Sequence, residues 1–239
     1  MAGIINLSDG DKGGVGKSMV VMTMIQYYLD HNREFVPVEA DRYNPDVANR
    51  YKNLKFEFAT FSEDEQVTSG VDSENPDQII DLASETDVIV SLPAQVGIPL
   101  NKWIDTALIA CEENGASFVR WFVTSGTYES LNLFKIALKR HGHAMPFVLV
   151  KNWGMNDDWS EIEAFDGLLT LLDDYDVKMI DFPKLAWREA NLIQKHNWRF
   201  SEARVAKNLH LMQRTRIKTF LAEAYRAFES TGLLTHGEG

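Results

Sequence analysis

Residues 11–18 read D-K-G-G-V-G-K-S, and this octapeptide lies between two apolar runs at residues 3–7 and 19–25. A strand, a glycine-rich loop and a helix in that order are typical of a phosphate-binding loop. Glycines let the loop backbone turn with its N–H groups inward, and the helix that follows directs the positive end of its dipole to the same place. An ordinary glycine-rich turn is the alternative interpretation, but the final G-K-S favours phosphate binding.

Two side chains of this loop suit a bound nucleoside triphosphate. The Lys17 ammonium can reach the terminal phosphates, and the Ser18 hydroxyl can ligate Mg²⁺. Lys12 is a second lysine inside the loop, and Asp11 stands where the general pattern G-x-x-x-x-G-K-[ST] has its first glycine. The loop therefore predicts ATP or ADP with Mg²⁺ as ligands.

Residues 12–18, K-G-G-V-G-K-S, resemble the deviant loop K-G-G-x-G-K-[ST] of the ParA/MinD family of dimerising ATPases. The resemblance runs more weakly over most of residues 2–190. With the L-P-A-Q at residues 92–95, the chain resembles plasmid mobilisation or stability proteins of the MobD/StbB kind. The resemblance implies a homodimer formed on ATP, in which Lys12 reaches the partner's nucleotide. A solvated loop lysine is the alternative.

The resemblance also assigns residues beyond the loop. Asp41 becomes the carboxylate that orients the attacking water and Glu39 a group near the metal, unless both only cap the helix that follows. Asn152 is implied to read adenine and Pro183 to flank the base, although an asparagine after a strand is often a turn residue. The implied catalytic set is Lys12, Lys17 and Asp41, the metal set is Ser18 and Glu39, and the nucleotide contacts are Gly13, Gly14, Val15, Gly16, Lys17, Ser18, Met19, Asn152 and Pro183.

One departure from the family pattern bears on hydrolysis. Ser91 lies near the end of the fourth predicted strand, residues 87–92, where relatives carry an aspartate, although Pro93 is kept. A neutral hydroxyl binds Mg²⁺ or its water more weakly than a carboxylate does. Asp87 begins that strand, roughly 13 Å from Ser91, and is too far away to replace it. We therefore expect slow hydrolysis.

Short apolar runs alternate with helical patterns throughout the chain. This alternation predicts an α/β fold, with a mostly parallel twisted sheet flanked by helices on both faces, and we expect one domain over residues 1–239. Residues 59–78 are acidic and polar and predict a loop. Strands are predicted at 3–8, 34–39, 54–58, 87–92, 118–124, 146–151 and 176–181, and helices at 17–31, 46–52, 76–84, 99–114, 127–141, 158–174, 186–197 and 202–230.

The net charge of −11 conceals a basic segment. Residues 184–226 contain ten Lys or Arg and three acids, so this segment carries +7. On the predicted helix 202–230, four cations are spaced to form a ridge, which predicts weak, non-specific DNA binding or contact with an acidic partner. Solvated helix faces are the alternative. The ridge consists of Arg204, Lys207, Arg214 and Lys218.

Composition excludes several classes of protein. No run of about 18 apolar residues is present, so we expect no membrane span, and the early strand predicts no secretion signal. The one cysteine, Cys111, cannot form an internal disulfide, which favours a cytoplasmic location and a buried apolar role on a helix. It also argues against an iron–sulfur protein.

The sequence as a whole predicts an ATP-dependent dimerising switch. Such a protein acts with an adaptor or cargo protein in partitioning or positioning of DNA, a plasmid or another cargo. A ligase or kinase that acts on a small molecule is one rival, although the clustered His141 and His143 lie far from the loop in sequence. A nucleotide-binding scaffold without turnover is the second rival, and Ser91 favours it.

Overall fold

Seven parallel strands form one sheet in the order β3-β2-β4-β1-β5-β6-β7. The structure is a computed structural model, and it describes residues 2–10, 12–62 and 74–234. All seven predicted strands are present, and the predicted α/β fold class is confirmed. The strands are β1 (Ile4–Asp9), β2 (Phe35–Glu39), β3 (Glu57–Phe58), β4 (Asp87–Ser91), β5 (Ser117–Thr124), β6 (Phe147–Asn152) and β7 (Lys178–Phe182).

Helices connect these strands. The predicted helix 158–174 is two helices, because the chain turns at Gly167, whose φ of 68° places it in the left-handed region. The predicted helix 202–230 is also divided, and a turn at residues 204–210 separates its two parts. The described helices are α1 (Lys17–Asp30), α2 (Asp46–Arg50), α3 (Gln78–Ala83), α4 (Gly97–Asn114), α5 (Tyr128–His141), α6 (Ser160–Ala164), α7 (Leu168–Asp174), α8 (Trp187–His196), α9 (Phe200–Ala203) and α10 (Leu211–Glu229).

The sheet separates two apolar cores. Helices α3 to α7 cover one face, where Leu100 and Phe134 pack among the buried side chains. Helices α1, α2 and α8 to α10 cover the other, where Val20 and Phe220 pack. Every residue of β1 and β4 is buried, as expected for central strands of a parallel sheet that is covered on both faces.

The last helix, α10, packs onto the sheet through one apolar stripe. Ile217, Phe220, Leu221, Ala224 and Phe228 recur at helical spacing and are buried. A helix continuous over residues 202–230, as the sequence predicts, would also direct Val205 and Met212 towards the core. Both are exposed instead, Val205 at 59% and Met212 at 61%.

Some sequence predictions can be judged only in part. Asp11 and residues 63–73 of the predicted acidic loop lie outside the described residues. Among the described helices, none combines the length and apolar character that crossing a bilayer requires. Cys111 is buried on α4, as predicted, and burial raises the pKa of its thiol to about 11.

Candidate functional site

The glycine loop follows β1, at the centre of the sheet between β4 and β5. Gly14 and Gly16 have φ values of 79° and 99°, a region that disfavours side chains. A Cβ atom on Gly16 would lie 2.2 Å from the Asn152 amide nitrogen, so this position admits only glycine. Gly16 is also the N-cap of α1 and has no side chain to bond the first amides of that helix. These amides are the donors that a phosphate group accepts from.

Lys17 lies inside this loop with 8% of its surface exposed. Its Nζ donates to the carbonyl oxygens of Gly10 at 2.8 Å and Lys12 at 3.4 Å. Ser18 follows it in the first turn of α1, and the Ser8 hydroxyl donates to the Lys17 carbonyl at 3.4 Å. Carbonyl oxygens of its own loop thus hold the ammonium in place.

Three polar residues form a row across the carboxyl ends of adjacent strands. Ser91 of β4 is in register with Ser8 of β1 on one side and with Glu39 of β2 on the other. Residues in register on parallel strands point to one face, about 4.8 Å apart from strand to strand. A buried carboxylate therefore stands next to the hydroxyl that occupies the aspartate position of the family pattern.

Glu39 is 1% exposed, and its environment controls its charge. Burial raises the pKa of its carboxyl to about 7, and hydrogen bonds from Ser91 and from the amides of Asp41 and Ala48 oppose that rise. The two amide bonds are long, at 3.3 Å each. At neutral pH this carboxyl is therefore partly protonated, and a nearby cation favours the ionised form.

Asp41 lies in the turn between β2 and α2. Its Oδ1 accepts from the backbone N–H of Tyr43 at 3.2 Å and of Asn44 at 2.9 Å, so its carboxylate closes that turn. Glu39 in turn accepts from Ala48 in the first turn of α2. Glu39 therefore bonds an amide of α2, as the capping alternative expects, whereas Asp41 bonds the turn before this helix and not the helix itself. The water-orienting role of Asp41 stays a prediction.

Asn152 fastens the end of β6 to the glycine loop. The side chain is 5% exposed; its Nδ2 donates to the Val15 carbonyl at 2.7 Å, and its Oδ1 accepts from Gly154 N–H at 2.9 Å. These bonds use one of the two Nδ2 hydrogens and one of the two Oδ1 lone pairs. The adenine contact of Asn152 stays a prediction. Pro183 is half-buried and comes directly after β7, the strand that pairs with β6. Its contact with a base likewise stays a prediction.

Lys12 forms an ion pair with Glu129, in the first turn of α5. Both side chains are substantially exposed, at 39% and 66%. A cleft of about 340 Å³ opens beside this pair, and its walls are Lys12, Gly13, Gly14, Val15, Ser125, Thr127, Met155 and Asn156. The lysine that distinguishes the deviant loop is thus at the protein surface and paired within its own chain.

Sequence reasoning missed a buried polar network behind the loop. Asp9 and Arg120 are each 1% exposed and form an ion pair at 2.6 Å, joining the last residue of β1 to β5. Arg120 also contacts Asn101 Oδ1 at 3.1 Å and His141 Nδ1 at 3.3 Å, and His141 Nε2 lies 2.8 Å from Asp105 Oδ1. An arginine within the apolar run 117–124 was the available signal, because a buried cation requires a buried partner.

The predicted cationic ridge is not formed. Arg204 and Lys207 lie in the turn before α10 rather than on one helix with Arg214 and Lys218. Arg204 faces inward and pairs with Asp30 on α1. The sequence misplaced the ridge because this turn breaks the helical spacing. DNA binding by the segment stays a prediction.

A divalent metal at this site needs ligands beyond the protein. In the described part of the chain, no three His, Cys, Asp or Glu side chains cluster so as to hold a metal ion. The available oxygens are the Ser18 hydroxyl beside the loop and the Glu39 and Ser91 side chains of the polar row. Such a donor set fits Mg²⁺, which keeps several waters and binds through phosphate oxygens.

No protein-family model matches the chain. Among curated proteins, Protein MobD of Acidithiobacillus ferrooxidans is 26% identical over 238 residues, covering 96% of this chain and 98% of MobD. The similarity to MobD that the sequence predicted is therefore confirmed.

Solved structures share the architecture at low identity. The septum site-determining protein MinD of Pyrococcus horikoshii OT3, solved with Mg-ADP, superposes with a TM-score of 0.54 and 13% identity, covering 98% of both chains. The chain has the ParA/MinD type of P-loop fold. A protein assigned to plasmid partition in Borrelia burgdorferi B31, solved with AMPPNP, has a TM-score of 0.51 and 15% identity, covering 97% of this chain and all of that one. Within this ParA/MinD fold, the polar row and the glycine loop meet at the same edge of the sheet.

Proposed function

We propose that this ParA/MinD-type chain binds ATP with Mg²⁺, dimerises on the nucleotide and acts as a switch in plasmid mobilisation or partition. The observation that carries the proposal is the buried Lys17 ammonium within a glycine loop that leads into uncapped helical amides. The MobD relative and the plasmid-partition structure with AMPPNP support the plasmid setting and the ligand. The MinD structure with Mg-ADP supports the metal.

Nucleotide binding follows from the loop. Phosphate oxygens take over the Lys17 ammonium from the carbonyls of Gly10 and Lys12 and accept from the first amides of α1. Ser18 would hold the metal through its hydroxyl, and Glu39 and Ser91 would supply oxygens on the side of its water shell. When bound, Mg²⁺ neutralises phosphate charge and screens the repulsion that a water nucleophile meets.

Hydrolysis depends on the carboxylates next to this shell. Asp41 orients the attacking water after its turn rearranges, since its Oδ1 is engaged by the amides of Tyr43 and Asn44. Ser91 contributes no charge to the metal shell, which keeps turnover slow. A slow ATPase stays in the nucleotide-bound state for a long time, as a switch requires.

Dimerisation rests on Lys12. Its pair with Glu129 is largely solvent-exposed, and exposed ion pairs contribute only about 0–1 kcal/mol. The triphosphate of a second protomer carries more charge than one carboxylate and can displace Glu129 from the lysine. The dimer then presents a surface for an adaptor or cargo protein that the monomer lacks.

The dimer is tested by sedimentation with AMPPNP and Mg²⁺. We expect Lys12→Ala to bind AMPPNP as a monomer and to lose dimerisation, because the contact across the interface is gone. We expect Glu129→Gln to dimerise at lower protein concentration, because it releases the lysine. Lys178→Ala is the matched control. Lys178 is an exposed lysine paired with Asp176, and it begins the edge strand β7, three strands away from β1 and its glycine loop.

A Lys12→Ala variant that dimerises like the wild type contradicts the proposal. Release of phosphate from ATP separates the switch from a scaffold that never hydrolyses. The ligase or kinase alternative needs an acid–base group facing a substrate, and His141 is buried and bonded on both ring nitrogens. That histidine is therefore not available for such a role.

A further inference from the structure

We propose that Arg120 is a positioning residue for the phosphate loop, and that uncharged His141 holds Arg120 in place, so that nucleotide affinity falls when His141 is protonated. The inference rests on the proposed nucleotide binding and adds a regulation of that site. It follows from a continuous series of contacts that leads from α5 through β5 to Lys17.

Two hydrogen bonds at Gly10 form the loop end of this series. Asp9 Oδ1 accepts from Gly10 N–H at 2.7 Å, and the Gly10 carbonyl accepts from Lys17 Nζ at 2.8 Å. Gly10 has a φ of 151°, and a Cβ there would lie 2.5 Å from the Val123 carbonyl oxygen. The position of Asp9 therefore determines where Gly10, and with it the entry to the loop, is placed.

Arg120 determines the position of Asp9. Its Nε and its NH2 group both bond to Asp9 Oδ2, at 2.8 Å and 2.6 Å, which leaves Oδ1 free for Gly10. The remaining NH1 group is shared between Asn101 and His141. Because both charges are buried, neither can exchange its partner for water, and the guanidinium stays where these acceptors hold it.

His141 can accept from Arg120 only through an unprotonated Nδ1, which places its proton on Nε2, next to Asp105. The charged groups that face its ring are Arg120 of β5, Asp105 of α4 and Arg140 of its own helix. A protonated Nδ1 directs a hydrogen at the guanidinium. Protonation therefore removes one acceptor of Arg120 and adds a like charge beside it.

Burial is the largest cause that lowers the pKa of His141 below 6.5. The bond to Asp105 opposes it, and the charges of Arg120 and Arg140 add to it. For a histidine with a depressed folded-state pKa, the stabilisation is complete above about pH 6.5 and is lost as the pH falls below that value. We therefore expect the loop to loosen at mildly acidic pH.

The first experiment compares His141→Gln with the matched control His143→Gln, an exposed histidine two residues along. AMPPNP affinity is measured by calorimetry between pH 8 and pH 5.5. Because Glu39 and the nucleotide titrate in all three proteins, the relevant quantity is the difference in pH dependence between variants. We expect the affinity of the wild type and of His143→Gln to fall several-fold more than that of His141→Gln as the pH is lowered, because only these two proteins can protonate His141. Equal pH dependence in all three proteins overturns the role of His141.

The second experiment uses protein without nucleotide and follows hydrogen exchange of the Gly10 amide by NMR at pH 7.5. Arg120→Lys keeps the charge beside Asp9 but cannot also reach Asn101 and His141. We expect exchange at Gly10 to accelerate about tenfold, with unchanged exchange in α10. If Arg120→Lys does not fold, Asn101→Ala removes one acceptor of the guanidinium and replaces it in the same measurement. Unchanged exchange at Gly10 in a folded variant overturns the positioning role.

The two proposals fail separately. Faster exchange at Gly10 in Arg120→Lys, together with a wild type that binds no AMPPNP at any pH, supports the positioning role and contradicts the proposed function. Unchanged exchange in a protein that binds AMPPNP normally contradicts the positioning role alone.

Discussion

Replacing Glu39 by glutamine removes a carboxylate that is buried at the end of β2. At 1% exposure, its ionised form has lost its hydration and is compensated by the Ser91 hydroxyl and by two long amide contacts. Glutamine has nearly the same shape and no charge. We expect Glu39→Gln to stabilise the nucleotide-free protein at pH 8 and to weaken Mg²⁺-dependent binding of AMPPNP.

The magnitude follows from the pKa. Burial raises the pKa of Glu39 from 4.5 to about 7, and each unit corresponds to about 1.4 kcal/mol. An acid with a raised folded-state pKa stabilises the protein fully below its unfolded pKa, and this contribution is lost as the pH rises through 4.5 towards 7. The free energy of unfolding of Glu39→Gln should therefore rise by about 3 kcal/mol relative to that of the wild type between pH 4.5 and pH 8. Glutamine can satisfy only one of the two amides, and that cost of about 1 kcal/mol does not change with pH.

Urea unfolding at a series of pH values measures this difference directly. His141 titrates in the same range in both proteins, so its contribution cancels in the comparison. If the difference in unfolding free energy between Glu39→Gln and wild type changes by less than about 0.5 kcal/mol from pH 5 to pH 8, the argument is refuted. Such a result means that the folded protein does not disfavour the charged carboxyl.

Two further predictions concern the loop and the polar row. Lys17→Ala removes the buried ammonium from the loop and should weaken ATP binding, measured by calorimetry, by roughly 10-fold or more; unchanged affinity contradicts the phosphate-loop assignment. Ser91→Asp places a second carboxylate beside Glu39. It should lower several-fold the Mg²⁺ concentration needed for AMPPNP binding and increase the rate of phosphate release from ATP. Without metal, the two carboxylates repel each other and should lower the free energy of unfolding. Loss of all nucleotide binding in Ser91→Asp contradicts the metal site at this strand end.

The sequence alone determined the features that depend on neighbours in the chain. The glycine loop at residues 12–18 is recognisable because its chemistry is local: glycines, a lysine and a hydroxyl at set spacing before a helix. The central strands were recognisable because strands buried on both faces require continuous apolar runs, as at residues 147–150. The helix after residue 202 was predicted too long because helical spacing alone does not reveal the turn before Leu211.

Only the tertiary structure decided which polar groups meet. Arg120 and Asp9 are 111 residues apart, Lys12 and Glu129 are 117 apart, and Arg204 and Asp30 are 174 apart. The Glu39 and Ser91 side chains adjoin because β2 pairs with β4 in a particular register, and a shift of one residue turns a side chain to the opposite face. That register is determined by the packing of two apolar cores against the sheet, which no local stretch of sequence contains.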